Sequence, residues 1–271
     1  MGERQGDIRR NLGFSRDTLR LYEKQGIISP EIDPNNGYRS YDDWQVNLLW
    51  DAKLYQGLGF SLKEVRRIVQ EGSLDEIHEM FDQRTEALEH ELRRQQLVVE
   101  SARRLEAEMS RVQEARARMA KGEAPSYSVE RLGGQVMIAE RKDHEFLKGL
   151  GSDELDFVDE YRGCLAATFY FPDCASGSYY WGFSADEKIY RELGGPEEGP
   201  YVFHLNGGEA LSTYLDAGDR GGFNISVFEG LLAEAARRGA RPAGPLAGRL
   251  ICRTHEADGY HRFLHARLLL A

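Results

Sequence analysis

Apolar residues recur at helical spacing through the first seventy residues, in short runs that turn-forming residues interrupt. Ser15 precedes one such run as a candidate N-cap, and Leu19 and Tyr22 lie on the apolar face that follows. Ser61, with Glu64 three residues later, predicts a capping box at the start of another helix. The pattern therefore predicts a set of short helices, and the first two have the outline of a helix-turn-helix.

A long stretch without glycine or proline extends from Leu74 to about Met119. Its apolar residues alternate at steps of four and three, with one irregularity near Ala102, and this heptad pattern is typical of a coiled coil. One helix over Leu88–Met119 would be roughly 48 Å long, and so narrow an apolar stripe needs a partner. We therefore expect an antiparallel dimer seam rather than a helix lying on its own domain. The stripe consists of Leu88, Leu92, Val99, Ala102, Leu105, Met109, Val112 and Met119, and the polar residues Gln95 and Arg116 occupy two of its positions.

Strand-like runs dominate the remainder of the chain, beyond a linker at Lys121–Ser126. Two helical patterns interrupt them, one near Glu154–Thr168 and one at Ile225–Arg238. The predicted fold class is therefore α+β. We expect three segments, namely a helix-turn-helix domain over residues 1–73, a linker and long helix over residues 74–121, and an α+β domain over residues 122–271.

The net charge changes along the chain, which alters what its total implies. The 271 residues together carry a formal net charge of −10, and an acidic total argues against binding nucleic acid. Residues 1–70, however, have a net charge of +1, whereas residues 122–271 have a net charge of −8. The acidic excess therefore belongs to the C-terminal half, and the total does not exclude DNA binding.

Other classes of protein are disfavoured by simpler features. No run approaches the roughly 20 apolar residues that span a bilayer, and the N-terminus lacks the apolar core of a secretory signal. Cys164, Cys174 and Cys252 are an odd number without CxxC spacing, so neither a disulfide framework nor a zinc ribbon is indicated. We expect a cytoplasmic protein with no membrane partner.

Four linked segments of the N-terminal third resemble the MerR family of transcriptional regulators. They keep the family's order and approximate spacing, and they are Gly13–Glu23, Gly26–Ile28, Asn36–Tyr41 and Leu58–Val65. The resemblance implies a winged helix-turn-helix followed by a dimerisation coiled coil. It also implies a homodimer that binds double-stranded promoter DNA and distorts it so that RNA polymerase can engage both promoter elements, which is activation through deformation energy.

Candidate DNA contacts follow from this resemblance together with side-chain chemistry. Arginine holds phosphate or reads guanine edges, and small hydroxyl residues permit close approach to the groove. The turn at Asn35–Gly37 predicts a hairpin, which resembles the family's wing. Leu21 stands where the family commonly has an aromatic residue, and we expect it in the core; Gln5 replaces the usual apolar residue ahead of the first helix. The candidates are Ser15, Arg16, Thr18, Arg20 and Tyr22 of the recognition helix, Tyr38 and Arg39 of the wing, and Lys63 of the fourth helix.

Metal sensing is not expected. Metal-sensing members of the family use cysteines at the start and end of the coiled coil, but residues 71–125 contain no cysteine, and their only histidines are His78 and His90. Thiolate coordination is therefore impossible in this segment. We predict no metal site and no cofactor.

The C-terminal 150 residues resemble a GyrI-like effector-binding domain, with local matches at Tyr214–Phe223 and at Gly244-Pro245. The order β, α, β-β, β-β, α, β-β fits two βαββ units. The resemblance implies a small-molecule effector, often aromatic or cationic, in a groove between the two units. Many drug-responsive relatives place a buried glutamate near the position of Arg249, so the charge of the ligand stays open. The candidate ligand residues are Tyr161, Tyr179, Trp181, Phe183, Tyr214 and Arg249.

Two alternatives use the same sequence differently. A constitutive, architectural DNA-binding dimer would use its C-terminal domain to bind protein instead of a ligand. A GyrI-like hydrolase would need a nucleophile and a base that converge in space. The candidate nucleophiles and bases are Cys164, Cys174, His204, His255, His261 and His265. Their spacing in the sequence does not indicate a nucleophile–base pair, so we expect no enzyme.

Overall fold

Short helices and a small sheet form the N-terminal part of the computed structural model, which describes residues 3–218, 222–240 and 245–270. The sheet is antiparallel with strand order β1-β3-β2. Apolar side chains of all four short helices meet in one core, which includes Ile8, Leu19, Leu49 and Val65. The elements are β1 (Glu3–Arg4), α1 (Gln5–Leu12), α2 (Arg16–Lys24), β2 (Glu31–Ile32), β3 (Arg39–Tyr41), α3 (Asp43–Gly57) and α4 (Leu62–Gln70).

Local chemistry sets the ends of these helices. The Ser15 hydroxyl oxygen accepts a hydrogen bond from the Thr18 N–H at 3.0 Å, so Ser15 caps α2 as predicted. Ser61 and Glu64 form the predicted capping box at the start of α4. Gly13 ends α1 with a φ of 72°, a left-handed conformation that glycine adopts without strain. The helix-turn-helix is therefore specified by neighbours in sequence.

A single helix, α5 (Leu74–Ala120), covers the predicted coiled-coil segment. Leu92 of the predicted stripe is 60% exposed, and Val99 is exposed as well. Val112, further along the stripe, is buried against Phe263. A straight helix drifts by ~20° per heptad relative to a strict seven-residue repeat, so the two ends of the stripe face different directions. The predicted seam therefore packs on the chain's own sheet at Val112, whereas Leu105, Met109 and Met119 are exposed.

Within the described residues of the C-terminal part, nine strands form one antiparallel sheet. Their order is β4-β10-β12-β11-β7-β8-β5-β6, and β9 also pairs with β5. Apart from the two-residue strand β6, the succession β5-α6-β7-β8 recurs as β10-α8-β11-β12, so two βαββ repeats join through their inner strands β7 and β11. The elements are β4 (Ser128–Leu132), β5 (Gln135–Lys142), β6 (Glu145–Phe146), α6 (Ser152–Tyr161), β7 (Ala166–Phe171), β8 (Tyr180–Asp186), α7 (Glu187–Glu192), β9 (Val202–Leu205), β10 (Gly208–Asp216), a 3₁₀ turn (Ile225–Phe228), α8 (Glu229–Arg237), β11 (Leu246–Glu256) and β12 (Gly259–Leu269).

Two details differ from the elements that the sequence predicts. The helical pattern near Glu154–Thr168 is shorter than predicted, because α6 ends at Tyr161 and β7 begins at Ala166, with a turn between them. The helix α7 has no counterpart among the predicted elements. Of the matches to the effector domain, residues 219–221 and Gly244 lie outside the described residues.

The chain divides into two compact units, Met1–Glu91 and Leu92–Ala271, and α5 contributes residues to both. The division into three segments at residues 73 and 121 stays a prediction. None of the described helices combines the length and the apolar character needed to cross a membrane.

Candidate functional site

The surface of α2 carries most of the candidate groups for reading DNA. Arg16 and Arg20 are exposed and lie four positions apart, which places them on one side of the helix. Ser15 and Thr18 lie at the start of the helix, with their hydroxyl oxygens 2.7 Å apart. The structure therefore brings two guanidinium groups together on one helix face, and it places the two hydroxyls beside the N-terminus.

Tyr22 faces the core of the N-terminal unit. Its ring is buried and meets Phe14 edge to face, and its hydroxyl donates a hydrogen bond to the side chain of Gln56 in α3. Burial raises the pKa of Tyr22, so the hydroxyl stays protonated. This bond positions α2 against α3, and the contact of Tyr22 with DNA stays a prediction. Leu21, expected in the core, is instead 41% exposed, because it points about 100° away from Tyr22 around the helix.

The wing is tied to the recognition helix by an ion pair that the sequence did not indicate. The Arg39 guanidinium in β3 donates two hydrogen bonds to the Glu23 carboxylate, at 2.7 Å from Nε and 3.2 Å from Nη2. Hydrogen bonding to Glu23 raises the pKa of Arg39. Tyr38 is 72% exposed, and Lys63 is exposed in the first turn of α4. Arg39 therefore orients the wing, whereas the side chains of Tyr38 and Lys63 are open to solvent.

Three of the candidate ligand residues line one cavity of about 350 Å³, here named the outer groove. The Trp181 ring centroid lies 4.9 Å from that of Phe223, and the Tyr179 centroid lies 5.0 Å from the same ring. Phe183 completes the set, and the Arg162 guanidinium lies 4.6 Å from its ring centre. The lining residues are Glu140, Arg141, Asp143, His144, Ala167, Tyr179, Trp181, Gly182, Phe183, Phe223, Leu250, Arg253 and Arg262.

Several polar groups of the outer groove are engaged within the chain. The Asp143 carboxylate accepts hydrogen bonds from the Ser178 hydroxyl at 3.1 Å and from the Tyr179 N–H at 3.0 Å. The Arg262 guanidinium donates to the backbone carbonyl of Ala217 at 3.2 Å and lies over the ring of Phe223. Tyr179 and Phe223 are buried, so the groove offers a ligand the partly exposed rings of Trp181 and Phe183 beside charged side chains, and these two rings suit stacking on a flat molecule.

A second cavity of about 320 Å³, here named the inner chamber, lies between α5 and the inner strands of the sheet. The strands β7 and β11 pair only from Leu246–Phe171 to Arg249–Thr168, and β11 then has a bulge between Leu250 and Cys252. The chamber shares Ala167, Phe183, Leu250 and Arg253 with the outer groove, so the two cavities adjoin. Its lining residues are Ser101, Arg104, Leu105, Glu108, Cys164, Leu165, Ala166, Ala167, Phe183, Arg249, Leu250, Ile251, Cys252 and Arg253.

The other three candidate ligand residues lie apart from the outer groove. Tyr161 packs in the core of α6, with its ring centroid 5.1 Å from that of Phe157. Tyr214 stacks on His265 at 4.2 Å, and its hydroxyl accepts a hydrogen bond from Arg111. Arg249 lines the inner chamber. The structure thus separates the six candidates into a groove set of three and three scattered residues, and their contact with a ligand stays a prediction.

Sequence reasoning missed a group of ionisable side chains between α5 and the sheet, here named the buried charge cluster: Glu108, Glu130, Arg249, His265 and Arg267. His265 lies between two carboxylates, with Nδ1 3.3 Å from Glu108 and Nε2 3.0 Å from Glu130. Arg249 and Arg267 approach the Glu108 carboxylate at 3.9 and 3.7 Å. The local sequence signal for this cluster is the spacing of His265 and Arg267, which are two positions apart on β12 and therefore lie on one face of the strand.

Electrostatics hold both carboxylates of the cluster ionised. Hydrogen bonding to His265, against a smaller opposing effect of burial, lowers the pKa of Glu130 to about 2. Burial opposes ionisation of Glu108, but the hydrogen bond with His265 and the neighbouring arginine charges outweigh it and lower its pKa. Burial and the charge of Arg267 lower the pKa of Arg249 to about 10. The cluster therefore links α5 to the sheet through charges that little water reaches.

Comparison with known proteins bears on the N-terminal unit. Residues 4–72 match the family described as MerR HTH family regulatory protein. The HTH-type transcriptional regulator CueR of Salmonella typhi is 30% identical over 63 residues, which are 23% of this chain and 46% of that protein. The mercuric resistance operon regulatory protein of Bacillus cereus is 32% identical over 79 residues, or 28% of this chain and 60% of that protein.

The chain thus spans about half the length of the curated relatives it matches. Among solved structures, the EcmrR–DNA complex aligns with 98% of this chain and 98% of its own, at 14% identity and a TM-score of 0.38. The family match, the caps of α2 and α4 and the exposed arginines of α2 all fall within residues 4–72. Over residues 4–72, the chain is therefore similar to the MerR family of helix-turn-helix regulatory proteins.

Proposed function

We propose that this protein is a transcriptional regulator that binds promoter DNA as a homodimer and responds to a small aromatic molecule. The observation that carries the proposal is the exposed pair Arg16 and Arg20 on α2, within the part of the chain that matches the MerR family. Exposed arginines on a recognition helix supply phosphate contacts and guanine readout. Four further residues could contact the DNA backbone, namely Ser15, Thr18, Tyr38 and Lys63.

The homodimer is supported by the N-terminal part of the apolar stripe on α5. Leu88, Leu92 and Val99 are exposed, and burying such a stripe against a second copy removes apolar surface from water. Two copies would present two recognition helices, which suits a pseudo-palindromic site. Regulation would then act through bending or untwisting of the promoter, so that RNA polymerase engages both of its elements.

An effector role for the C-terminal unit is supported by the outer groove. Tyr179, Trp181 and Phe183 line it, and the partly exposed rings of Trp181 and Phe183 suit stacking on a flat ligand. An enzyme is the less favoured function, because burial raises the pKa of all three cysteine thiols and so keeps them in the protonated, weakly nucleophilic form. A protein-recruiting architectural dimer would instead show no response to small aromatic molecules.

Arg20→Ala tests the proposal. We expect the variant to bind a duplex from the gene's own upstream region roughly tenfold to a hundredfold more weakly, because one arginine contact contributes about 1–3 kcal/mol. Fluorescence anisotropy at several salt concentrations measures both the affinity and its salt dependence. Arg103→Ala, which removes the same charge from the exposed surface of α5, is the matched control. Equal affinity of both variants and the parent chain would contradict the proposed recognition helix.

A further inference from the structure

We propose that the inner chamber binds the acidic group of an organic anion, a carboxylate, sulfonate or phosphate ester, through Arg104, Arg249 and Arg253. The inference rests on the proposed function, since it assigns a chemical class to the effector. It places the charged end of the ligand in the inner chamber and its apolar body against the aromatic rings of the outer groove.

The lining of the inner chamber favours an anion by its charge. Three arginines face one acidic residue, Glu108, and the remaining lining is largely apolar. The charge of Glu108 is already opposed by Arg267, which lies 3.7 Å from its carboxylate. The three arginine charges of the chamber therefore exceed the acidic charge available to balance them.

Arg249 has a buried guanidinium, one nitrogen of which has no partner among the described residues. Its side chain is only 12% exposed, and the Glu108 carboxylate is 3.9 Å from Nη1, beyond hydrogen-bond distance. Within the described part of the chain, its buried Nε has no hydrogen-bond acceptor. A buried cation without a close acceptor is unfavourable, whereas an oxyanion in the chamber would accept bonds from the guanidinium fork. The Arg249 side chain is thus short of one acceptor, which an anion in the inner chamber would supply.

Arg104 and Arg253 extend the same surface toward solvent. Both are exposed, and neither forms an ion pair with an acidic residue in residues 3–218, 222–240 or 245–270. Arg253 lines both cavities, together with Phe183. An anion held at Arg253 would therefore bring an attached aromatic body to Phe183 and Trp181. A cation following the same path would meet these arginines and be repelled.

Two probes of equal shape and opposite charge test the inference: naphthalene-2-sulfonate and naphthalen-2-yl-trimethylammonium. We expect the full-length protein to bind the sulfonate at least about tenfold more tightly, because a hydrogen bond to a charged group favours one partner by that order. Isothermal titration calorimetry at fixed ionic strength measures both affinities. In a Trp44→Phe and Trp50→Phe background, which leaves Trp181 as the one tryptophan of the sequence, fluorescence quenching by the bound ring provides a second reading at the outer groove.

Variants locate the effect in the chamber. Arg104→Met and Arg253→Met alter exposed side chains, and each should weaken binding of the sulfonate about threefold to tenfold while leaving the ammonium probe unchanged or bound more tightly. Arg103→Met, one residue away on α5 and outside both cavities, is the control. Arg249→Met should abolish the preference for the anion, provided that its circular dichroism matches that of the parent.

Three results would overturn the inference: tighter binding of the ammonium probe, no binding of either probe at millimolar concentration, or parent-like sulfonate affinity in both Arg104→Met and Arg253→Met. These results leave DNA binding untouched. The Arg20→Ala experiment measures DNA affinity without any ligand, so failure of the regulator proposal and failure of the anion proposal appear in different measurements.

Discussion

The wing of the N-terminal unit and the buried charge cluster of the C-terminal unit both pair arginine with carboxylate, under opposite conditions of solvation. Arg39 and Glu23 are 27% and 26% exposed and meet in a two-pronged geometry. Arg249 and Glu108 are each 12% exposed, and their nearest atoms are 3.9 Å apart. The ion pair of the wing therefore has short, two-pronged contacts in a partly exposed place, where water weakens the attraction. The Arg249–Glu108 pair of the cluster has a longer contact in a buried place, which little water reaches.

The different solvation of the two ion pairs gives them different roles, orientation of the wing for Arg39–Glu23 and stability for the buried charge cluster. A partly exposed ion pair contributes little to folding, so its value lies in orienting the wing relative to α2. Buried charges are costly unless they are paired, so the cluster is sensitive to the loss of any one member. The cluster joins α5 to the sheet of the C-terminal unit, since Glu108 lies in α5 and its partners lie in β11 and β12.

The largest expected effect is that of Glu108→Leu. Removing this carboxylate leaves Arg249 and Arg267 in a buried site with one counter-charge fewer, and breaking such a site costs about 3–5 kcal/mol. Hydrogen exchange of the β12 amides and urea unfolding of the full chain measure the loss. Glu106→Leu, at an exposed position two residues earlier on α5, is the control and should change stability by less than about 0.5 kcal/mol. Equal free energies of unfolding for Glu108→Leu and Glu106→Leu would show that the buried charge cluster does not hold α5 against the sheet.

The next effect is a dependence of stability on pH. The pKa of Glu130 is lowered from 4.5 to about 2 in the folded protein, chiefly by its hydrogen bond with His265. A lowered pKa contributes stability that is fully present above pH 4.5 and is lost as the pH falls toward 2, and here it amounts to roughly 3 kcal/mol.

Thermal unfolding between pH 2 and pH 7 measures this dependence. Glu130→Gln should be less stable than the parent at pH 7, and the difference should shrink as the pH falls through this range. Glu145→Gln, at an exposed position in β6, serves as the control and should follow the parent. A constant difference between Glu130→Gln and the parent at every pH would contradict the assigned role of the Glu130 charge.

The two regions also differ in how far the sequence predicts them. Ser15, Ser61 and Glu64 act on residues within one helical turn, so the caps and the helix-turn-helix follow from spacing alone. The Glu108–His265 contact joins residues 157 positions apart, which no local pattern records. The aromatic lining of the outer groove lies between these extremes: alternation along the chain predicts that Tyr179 and Trp181 share one face, but the fold is needed to bring Phe223 to them.

The smallest expected effect is that of Glu23→Gln in the wing. Loss of a pair that is about a quarter exposed should lower the free energy of unfolding by at most about 1 kcal/mol, and by less at 0.5 M salt, because screening already weakens the parent pair. DNA affinity should fall more than stability does, since Arg39 no longer holds the wing against α2 by charge. Urea unfolding and anisotropy on the same preparations compare the two quantities. A loss of stability as large as that of Glu108→Leu would show that solvation does not separate the wing from the buried charge cluster.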